Sequence, residues 1–596
     1  MADSPLKNAT GPLKLVIKSG GAEVDQKLCR VVSVTVDKKI NHIPWARIIL
    51  EDGDMASQTF EVGNGDEFEP GAKIEIEAGY GQTSHSIFKG VVISHGVNIH
   101  GGAAHLVVEC RDPAVKLTTI KKNSNHTDKS DGEIMEALIG KVAGLSAQVT
   151  ATTPTHARMV QFACTDWDFI LTRADANGLL VIVEDGKINV APPKVDGEEK
   201  LTVTWGLDLV NFRGEMDARN QVAASRTLAW DLDNLEVIDS DGDSPGLQNQ
   251  GNIPTQDLSS VVGADKAEVG SSVPMEKASL KAWADALLLK SGLARIRGRL
   301  RFQGNASVGP GDLMGVKGVG ERFQGSLFLS LVHHEISMGN WYTDAEFGLS
   351  PQWFAQREDI SLPLASGQLP GVEGIQVGVV TQLDGDPGDQ GRIQIALPVM
   401  ENEEEGLWAR MATLYGTQES GIFFIPEVGD EVVVGFFNND PRHPVVLGSL
   451  HSSGRAAPEP LTAENNTKAI VTREKLKISF DEEKKVMVLE TPGENKISIS
   501  DGAKGIKLED QNGNTVTLDD TGIVLDSPKD ICISAKGKIT LDAVGEMGLS
   551  SKADLGLKGM NLNAAADVGL VAKGSASAEL SASGQTTVKG AMVMIN

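Results

Sequence analysis

From about Lys496 onward, apolar residues come in i, i+2 pairs that settle into an eight-residue period, and a period that short is not one an ordinary single-chain domain uses. The pairs are Ile497/Ile499, Ile506/Leu508, Val516/Leu518, Ile523/Leu525, Ile531/Ile533, Ile539/Leu541, Met547/Leu549 and Leu555/Leu557. After a slip of one residue the pattern resumes at Leu562, Leu570, Ala578 and Thr586. Each pair reads as a strand of three to four residues. Ordering eight backbones costs about 8–16 kcal/mol. Burying two side chains returns about 3–6 kcal/mol. A lone copy also leaves strand edges open. Three chains winding together, each giving one strand per layer, close the edges and share one interior. The octad therefore predicts a homotrimeric β-helix, or β-prism, with Ile523, Leu525, Ile531, Ile533, Ile539, Leu541, Leu555 and Leu557 in its core. It should narrow where Ala564–Ala566 and Ala576–Ala578 replace larger residues. The rival reading is a low-complexity linker, against which strict alternation over about ten repeats argues.

Charge and cysteine usage limit what such a chain does. With 55 Lys+Arg against 81 Asp+Glu the net charge is −26, which disfavours nucleic acid and anionic membranes as partners. Cys29, Cys110, Cys164 and Cys532 show no CxxC spacing, so neither a zinc site nor a redox motif is indicated. The start, MADSPLKNATGPLKL, lacks a signal-peptide core, and no run reaches membrane-span length. Synthesis in the cytoplasm follows as an expectation.

Upstream of the repeat, residues 371–455 alternate short strands with turns such as DGDPGDQG and NNDPRHP, as a small OB-type barrel does. Residues 69–95 and 309–334 share an order: Pro-Gly, strand, Gly-x-Gly turn, Phe-x-Gly, strand, His. Two related β-barrels are inferred, with chance likeness of two Gly-rich hairpins as the alternative. Helices are expected at Ser130–Gly144, from a capping box of Ser130 with Glu133, at Asp166–Asn177 and at Pro274–Leu293. The resulting plan is mainly β: a first hub barrel (1–120), a helical and mixed insert (121–200), a second hub barrel (201–365) with a long polar loop at 231–264, the OB barrel (371–455), a connector (456–495) and the needle (496–596).

The chemistry-bearing motifs are weak. His333-His334-Glu335 is not HExxH, and its alternation suggests a strand. Asp239, Asp241 and Asp243 resemble a calcium loop, but Ser244 and Gln250 stand where such loops use Gly and Glu. Gly318-Val319-Gly320 reads as a turn, and Glu401–Glu405 as a solvated loop. No cofactor, metal or catalytic residue is indicated.

Several strings resemble the VgrG-type spikes of contractile injection systems: Gly391-Arg392-Ile393, Trp408-Ala409-Arg410, Pro426–Glu431, Gly435-Phe436, Asp440-Pro441 and Gly448-Ser449 in the barrel. IPWARIILEDGD (43–54), FEPG (68–71) and TDWDFILTRADANGLLVIVEDG (165–186) resemble the hub of the same family. The last string is closer to extracellular particles than to cell-anchored type VI spikes. The resemblance implies a trimer whose six hub barrels meet the hexameric inner tube and baseplate proteins. It also implies a PAAR-type cone protein on the apolar tip of Val593, Met594 and Ile595, and effector cargo as an option. The target membrane would be contacted only mechanically. A lysozyme insert is not expected, since the connection from Leu450 to about Val471 is only some twenty residues, and no appended effector is expected after AMVMIN. A type VI spike ferrying effectors, a spike-borne glycan hydrolase and a trimeric adhesin are the alternatives.

Overall fold

The computed structural model describes residues 3–595 apart from 26–27, 248–249, 358, 362 and 399–405, so the acidic stretch Glu401–Glu405 lies outside the described residues. It falls into two compact units, Met1–Leu450 and His451–Asn596. Among the described residues, no helix is long and apolar enough to cross a membrane.

The first unit opens with seven strands: β1 (Leu13–Ser19), β2 (Ala22–Glu23), β3 (Arg30–Lys39), β4 (Trp45–Glu51), β5 (Lys73–Tyr80), β6 (His85–His100) and β7 (Ala103–Arg111). They pair in the order β3-β4-β7-β6-β5-β1-β2. Period-two alternation, as in KIEIEA of β5, turns one set of side chains inward, and Val34, Val36, Ile48, Leu50, Ile74, Ile76 and Leu106 form the core.

An insert follows, of β8 (Lys121–Ser130), α1 (Asp131–Gly140), β9 (Ser146–Val149), β10 (Thr155–Thr165), α2 (Asp166–Ala176), β11 (Leu180–Glu184) and β12 (Lys187–Ala191). The capping box on α1 is formed: Ser130 and Glu133 satisfy each other's backbone N–H. Thr165 caps α2 through the Asp168 N–H.

The second array contains β13 (Glu199–Thr204) and β14 (Leu209–Met216), then a side domain of β15 (Ala224–Asp231), β16 (Glu236–Asp241), α3 (Thr255–Val262), β17 (Lys266–Ser271) and α4 (Lys277–Leu293). It resumes with β18 (Ile296–Gln303), β19 (Leu313–Lys317), β20 (Gly325–Ser337) and β21 (Asn340–Phe347). The segment 231–264, read from composition as a loop, thus holds a strand and a helix. Its acidic residues sit in β16 because Arg226 and Lys266 neutralise them.

The two arrays repeat one design. The order β14-β18-β21-β20-β19 matches β3-β4-β7-β6-β5. Bulges coincide, at Val92/Ser94 and Leu329/Leu331 and again at Val31/Ser33 and Leu209/Asn211. Both long hairpins close on two residues, His100 to Ala103 and Ser337 to Asn340. Gly71 (φ 105) and Gly311 (φ 89) enter the middle strand alike. The Gly71 N–H donates to the Val92 carbonyl at 2.9 Å, and the Gly311 N–H to that of Leu329 at 2.7 Å. Matching on Phe-x-Gly alone aligns the repeats two residues out, because the equivalent positions are Val92 and Leu329. The two hub arrays, expected from the sequence as barrels, have separate cores but share one 13-stranded sheet, since β20 pairs with β3 from Leu331↔Lys39 to Ser337↔Ser33.

The first unit ends in a closed five-strand barrel built from β22 (Gln376–Gln382), β23 (Ile393–Ala396), β24 (Leu407–Met411), β27 (Glu431–Phe436) and β28 (Pro444–Ser449). The small hairpin of β25 (Gly416–Thr417) and β26 (Ser420–Gly421) projects from it. Val380, Ile393, Ile395, Ala409, Val432, Val434 and Val446 fill the interior, as expected for the OB fold.

In the second unit seven antiparallel strands follow one another: β29 (Thr467–Val471), β30 (Lys477–Asp481), β31 (Val486–Glu490), β32 (Lys496–Ser500), β33 (Gly505–Glu509), β34 (Thr515–Asp519) and β35 (Gly522–Asp526). Three of them occupy 467–490, inside the segment read as a connector. Their starts are nine or ten residues apart, so an eight-residue search passes over them. From Ser527 to Ile595 no strand pairs with another. Backbone bends fall at 528–529, 536–537, 544–545 and 552–553, then 560, 567–568, 575–576, 583–584 and 591. The octad and its one-residue slip are therefore written in the backbone.

Candidate assembly surfaces

The seven-strand sheet is amphipathic, and the register shows how. Ile478 faces Leu489, which faces Ile497, then Leu508, Val516 and Leu525. Phe480, Met487, Ile499, Ile506, Leu518 and Ile523 form a parallel row on the same face. Ser479, Ser498, Lys507 and Thr517 belong to the other face. Nothing in one chain covers the apolar rows: Ile497 and Leu508 keep 39% and 38% of their surface exposed. Of the positions expected in a needle core, Ile523, Leu525, Ile531, Ile533, Ile539, Leu541, Leu555 and Leu557 are each at least half exposed, as are Val593, Met594 and Ile595 at the tip. Apolar surface on that scale marks an interaction site. On the barrel, Leu414, Phe423 and Phe424 flank the small hairpin and are also exposed.

Motif residues that invite a catalytic reading have structural partners. In TDWDFILTRADANG, Arg173 makes a two-pronged bond to Asp131 (2.7 and 2.9 Å) and Asn177 adds a third at 2.8 Å, clamping α1 to α2. Asp175 takes Lys290 of α4 at 2.6 Å and the Phe354 N–H at 2.9 Å. Burial opposes ionisation of Asp131, but the Arg173 guanidinium outweighs it and holds the carboxyl below its usual range. Asp131→Ala is expected to cost about 3–5 kcal/mol, because a largely buried guanidinium loses its partner. Chemical denaturation of the intact chain checks this.

In the barrel, Arg392 forks onto Asp386 (2.5 and 3.0 Å to one oxygen), keeping that carboxyl far below its ordinary value. Arg442 does the same to Asp440, brought down to about 2. Both pairs brace turns of the closed barrel, which accounts structurally for Gly391-Arg392-Ile393 and Asp440-Pro441.

His333 and His334 point to opposite faces of β20. His333 Nδ1 meets Asp37 at 3.1 Å, while His334 Nδ1 meets the Thr343 hydroxyl at 3.0 Å and accepts from Trp341 Nε1 at 3.4 Å. Asp239, Asp241 and Asp243 bind three separate cations, Arg226, Lys266 and Lys281. Among the described residues no group of three potential ligands is brought together. All four cysteines are free, three of them buried.

Full burial brings His334 down to about 3 from an ordinary value near 6.5. Between those values the unfolded chain binds the extra proton, so stability is full above about pH 6.5 and falls as pH drops toward 3. The slope is at most about 1.4 kcal/mol per pH unit. His334→Gln is expected to flatten that dependence in denaturation series run from pH 7 to pH 4.

In its OB barrel and its amphipathic sheet the chain is similar to VgrG-like spike proteins. The model for the type VI secretion system/phage-baseplate injector OB domain matches residues 376–451, and that for the phage baseplate V C-terminal trimerisation domain matches 486–546. The Alg8 N-terminal domain model matches residues 9–338, more than half of the chain, and the chain belongs to that family. Type VI secretion system spike protein VgrG1b of Pseudomonas aeruginosa is 25% identical over 201 residues, covering 32% of this chain and 26% of that protein. Spike protein VgrG3 of Vibrio cholerae is 30% identical over 112 residues, covering 18% and 11%. The matched stretches thus span about a quarter of those relatives or less. Among solved structures, a 43 kDa prophage tail protein from Shewanella oneidensis is similar with a TM-score of 0.43 at 10% identity, over 57% of this chain and 98% of that one.

Proposed function

We propose that the chain works as the trimeric central hub and spike of a contractile injection particle, joining the hexameric inner tube to the piercing tip. One observation carries the reading: an apolar sheet face and an octad tail, both uncovered in a single chain, beside a match to a trimerisation domain. Three copies cover each other's apolar rows and leave no free edge in the needle. Such a prism resists bending under the thrust of contraction because its backbone groups are paired. Two hub arrays per chain give six positions in a trimer, matching a sixfold tube. The exposed tip residues Val593, Met594 and Ile595 suit a small PAAR-type cone. The role is mechanical rather than enzymatic, and the carboxylates discussed above serve ion pairs and caps. The form of the 165–178 motif favours an extracellular particle, and effector cargo belongs to the type VI alternative. Co-purification tests the assembly: a trimer that retains inner-tube protein and one cone is expected, and a monomer that retains neither contradicts it.

A further inference from the structure

The duplication in the hub leaves one strand pairing made and its counterpart unmade. Within the chain, the distal half of β20 pairs antiparallel with β3, and there Val34, Val36, His334 and Ile336 are all at most 3% exposed. The equivalent of distal β20 is distal β6, and the equivalent of β3 is β14, by the shared bulges and hairpin. Among the described residues distal β6 is hydrogen-bonded on one side only: bonding on its β5 side ends at Val92, while β7 continues to His100. Among the described residues β14 ends the sheet, and its stretch Asn211–Met216 pairs only with β18. Val97 and Ile99, which correspond to the buried His334 and Ile336, are 50% and 66% exposed.

We infer that Ser94–His100 of one copy pairs with Asn211–Asp217 of the next, antiparallel, in the register that β20 and β3 already use inside the chain. Carrying that register across sets Val97 opposite Gly214, Asn98 opposite Arg213 and Ile99 opposite Phe212. His95, Val97 and Ile99 then share a face with Met216, Gly214 and Phe212, and Phe212 and Met216 already pack on the second hub core. On the other face Gly96 and Asn98 meet Glu215 and Arg213. A slip of one residue would set Ile99 against Arg213 in one direction or Asn211 in the other, a charged or a polar side chain, so the side-chain pattern agrees with the symmetry. The contact is head-to-tail and closes when in-chain and between-chain junctions alternate around a ring. Rows of unpaired backbone groups on both edges provide the attraction. The inference rests on the trimeric reading and deepens it, by naming the hub surface through which copies recognise one another.

The register also says which pair can be cross-linked. The Ile40 N–H donates to the Ser330 carbonyl at 2.9 Å, which continues the β3–β20 ladder and makes Thr35/Glu335 a non-hydrogen-bonded pair. Its counterpart is Asn98/Arg213, and opposed Cα atoms about 4.5 Å apart in such a pair accept a disulfide. In a Cys532→Ser background, Asn98→Cys with Arg213→Cys is expected to run as covalent dimer and trimer under mild oxidation and as monomer after reduction. Gly96→Cys with Glu215→Cys is a second pair on the same face; a Cβ at Gly96 meets nothing nearer than 3.9 Å. The slipped pair, Asn98→Cys with Phe212→Cys, should link at least tenfold less. If light scattering shows a trimer and neither in-register pair links, or the slipped pair links equally well, the strand pairing is overturned while the trimer stands. If the protein is a monomer, both fall.

Discussion

Leu508→Asp is expected to turn the trimer into monomers while the hub remains folded. Leu508 sits mid-row on the apolar face, between Ile497 and Val516 on its neighbouring strands. A threefold needle brings its copies to one level, so one substitution places three carboxylates together in a dry interior. Each costs several kcal/mol to bury unpaired and repels the other two, for roughly 10 kcal/mol or more per trimer. That exceeds what loss of a single leucine would cost, about 2–5 kcal/mol per chain. Ser498→Asp, on the opposite face of the same sheet, should leave the trimer intact. Light scattering reads the mass, and the hub's own denaturation transition reports whether it is still folded. Equal dissociation by both substitutions would mean that the apolar rows are not the trimer's interior.

Removal of residues 591–596 should abolish cone binding without changing the trimer. Val593, Met594 and Ile595 expose 50%, 82% and 91% of their surface in the single chain. Three copies would gather nine such side chains at one end, an apolar platform that calls for a partner. The layers below it, from Ile523 onward, do not depend on it. In a pull-down with a PAAR-type cone protein the shortened trimer is expected to retain none. A trimer that dissociates on truncation, or a truncated trimer that still holds the cone, would contradict the proposed role of these three residues.

Legibility in the sequence followed how local the cause was. Ser130 with Glu133 announces α1, because a cap is settled within four residues. The OB barrel was legible from alternation and turns, and the octad from its period alone. The base of the needle was harder, because β29, β30 and β31 start nine or ten residues apart and so blur into an irregular connector. The polar stretch around Asp239 looked like a loop, because the cations that hold it in a strand, Arg226 and Lys266, are distant or precede it in the chain. The hub duplication showed in two hairpins, but its register did not. The shared bulges and the two-residue hairpins fix it, and those are features of how the strands pair rather than of the local residue pattern. The eight residues proposed for the needle core are each at least half exposed in one chain, so a core there is a property that only an assembly could have.

Static light scattering of the intact protein tests the central claim most directly. The expected mass is three times 63.2 kDa, unchanged on dilution. A mass of 63.2 kDa with the full chain folded would contradict it, because the apolar rows from Ile478 to Leu525 and the octads beyond them would then be stable in water uncovered.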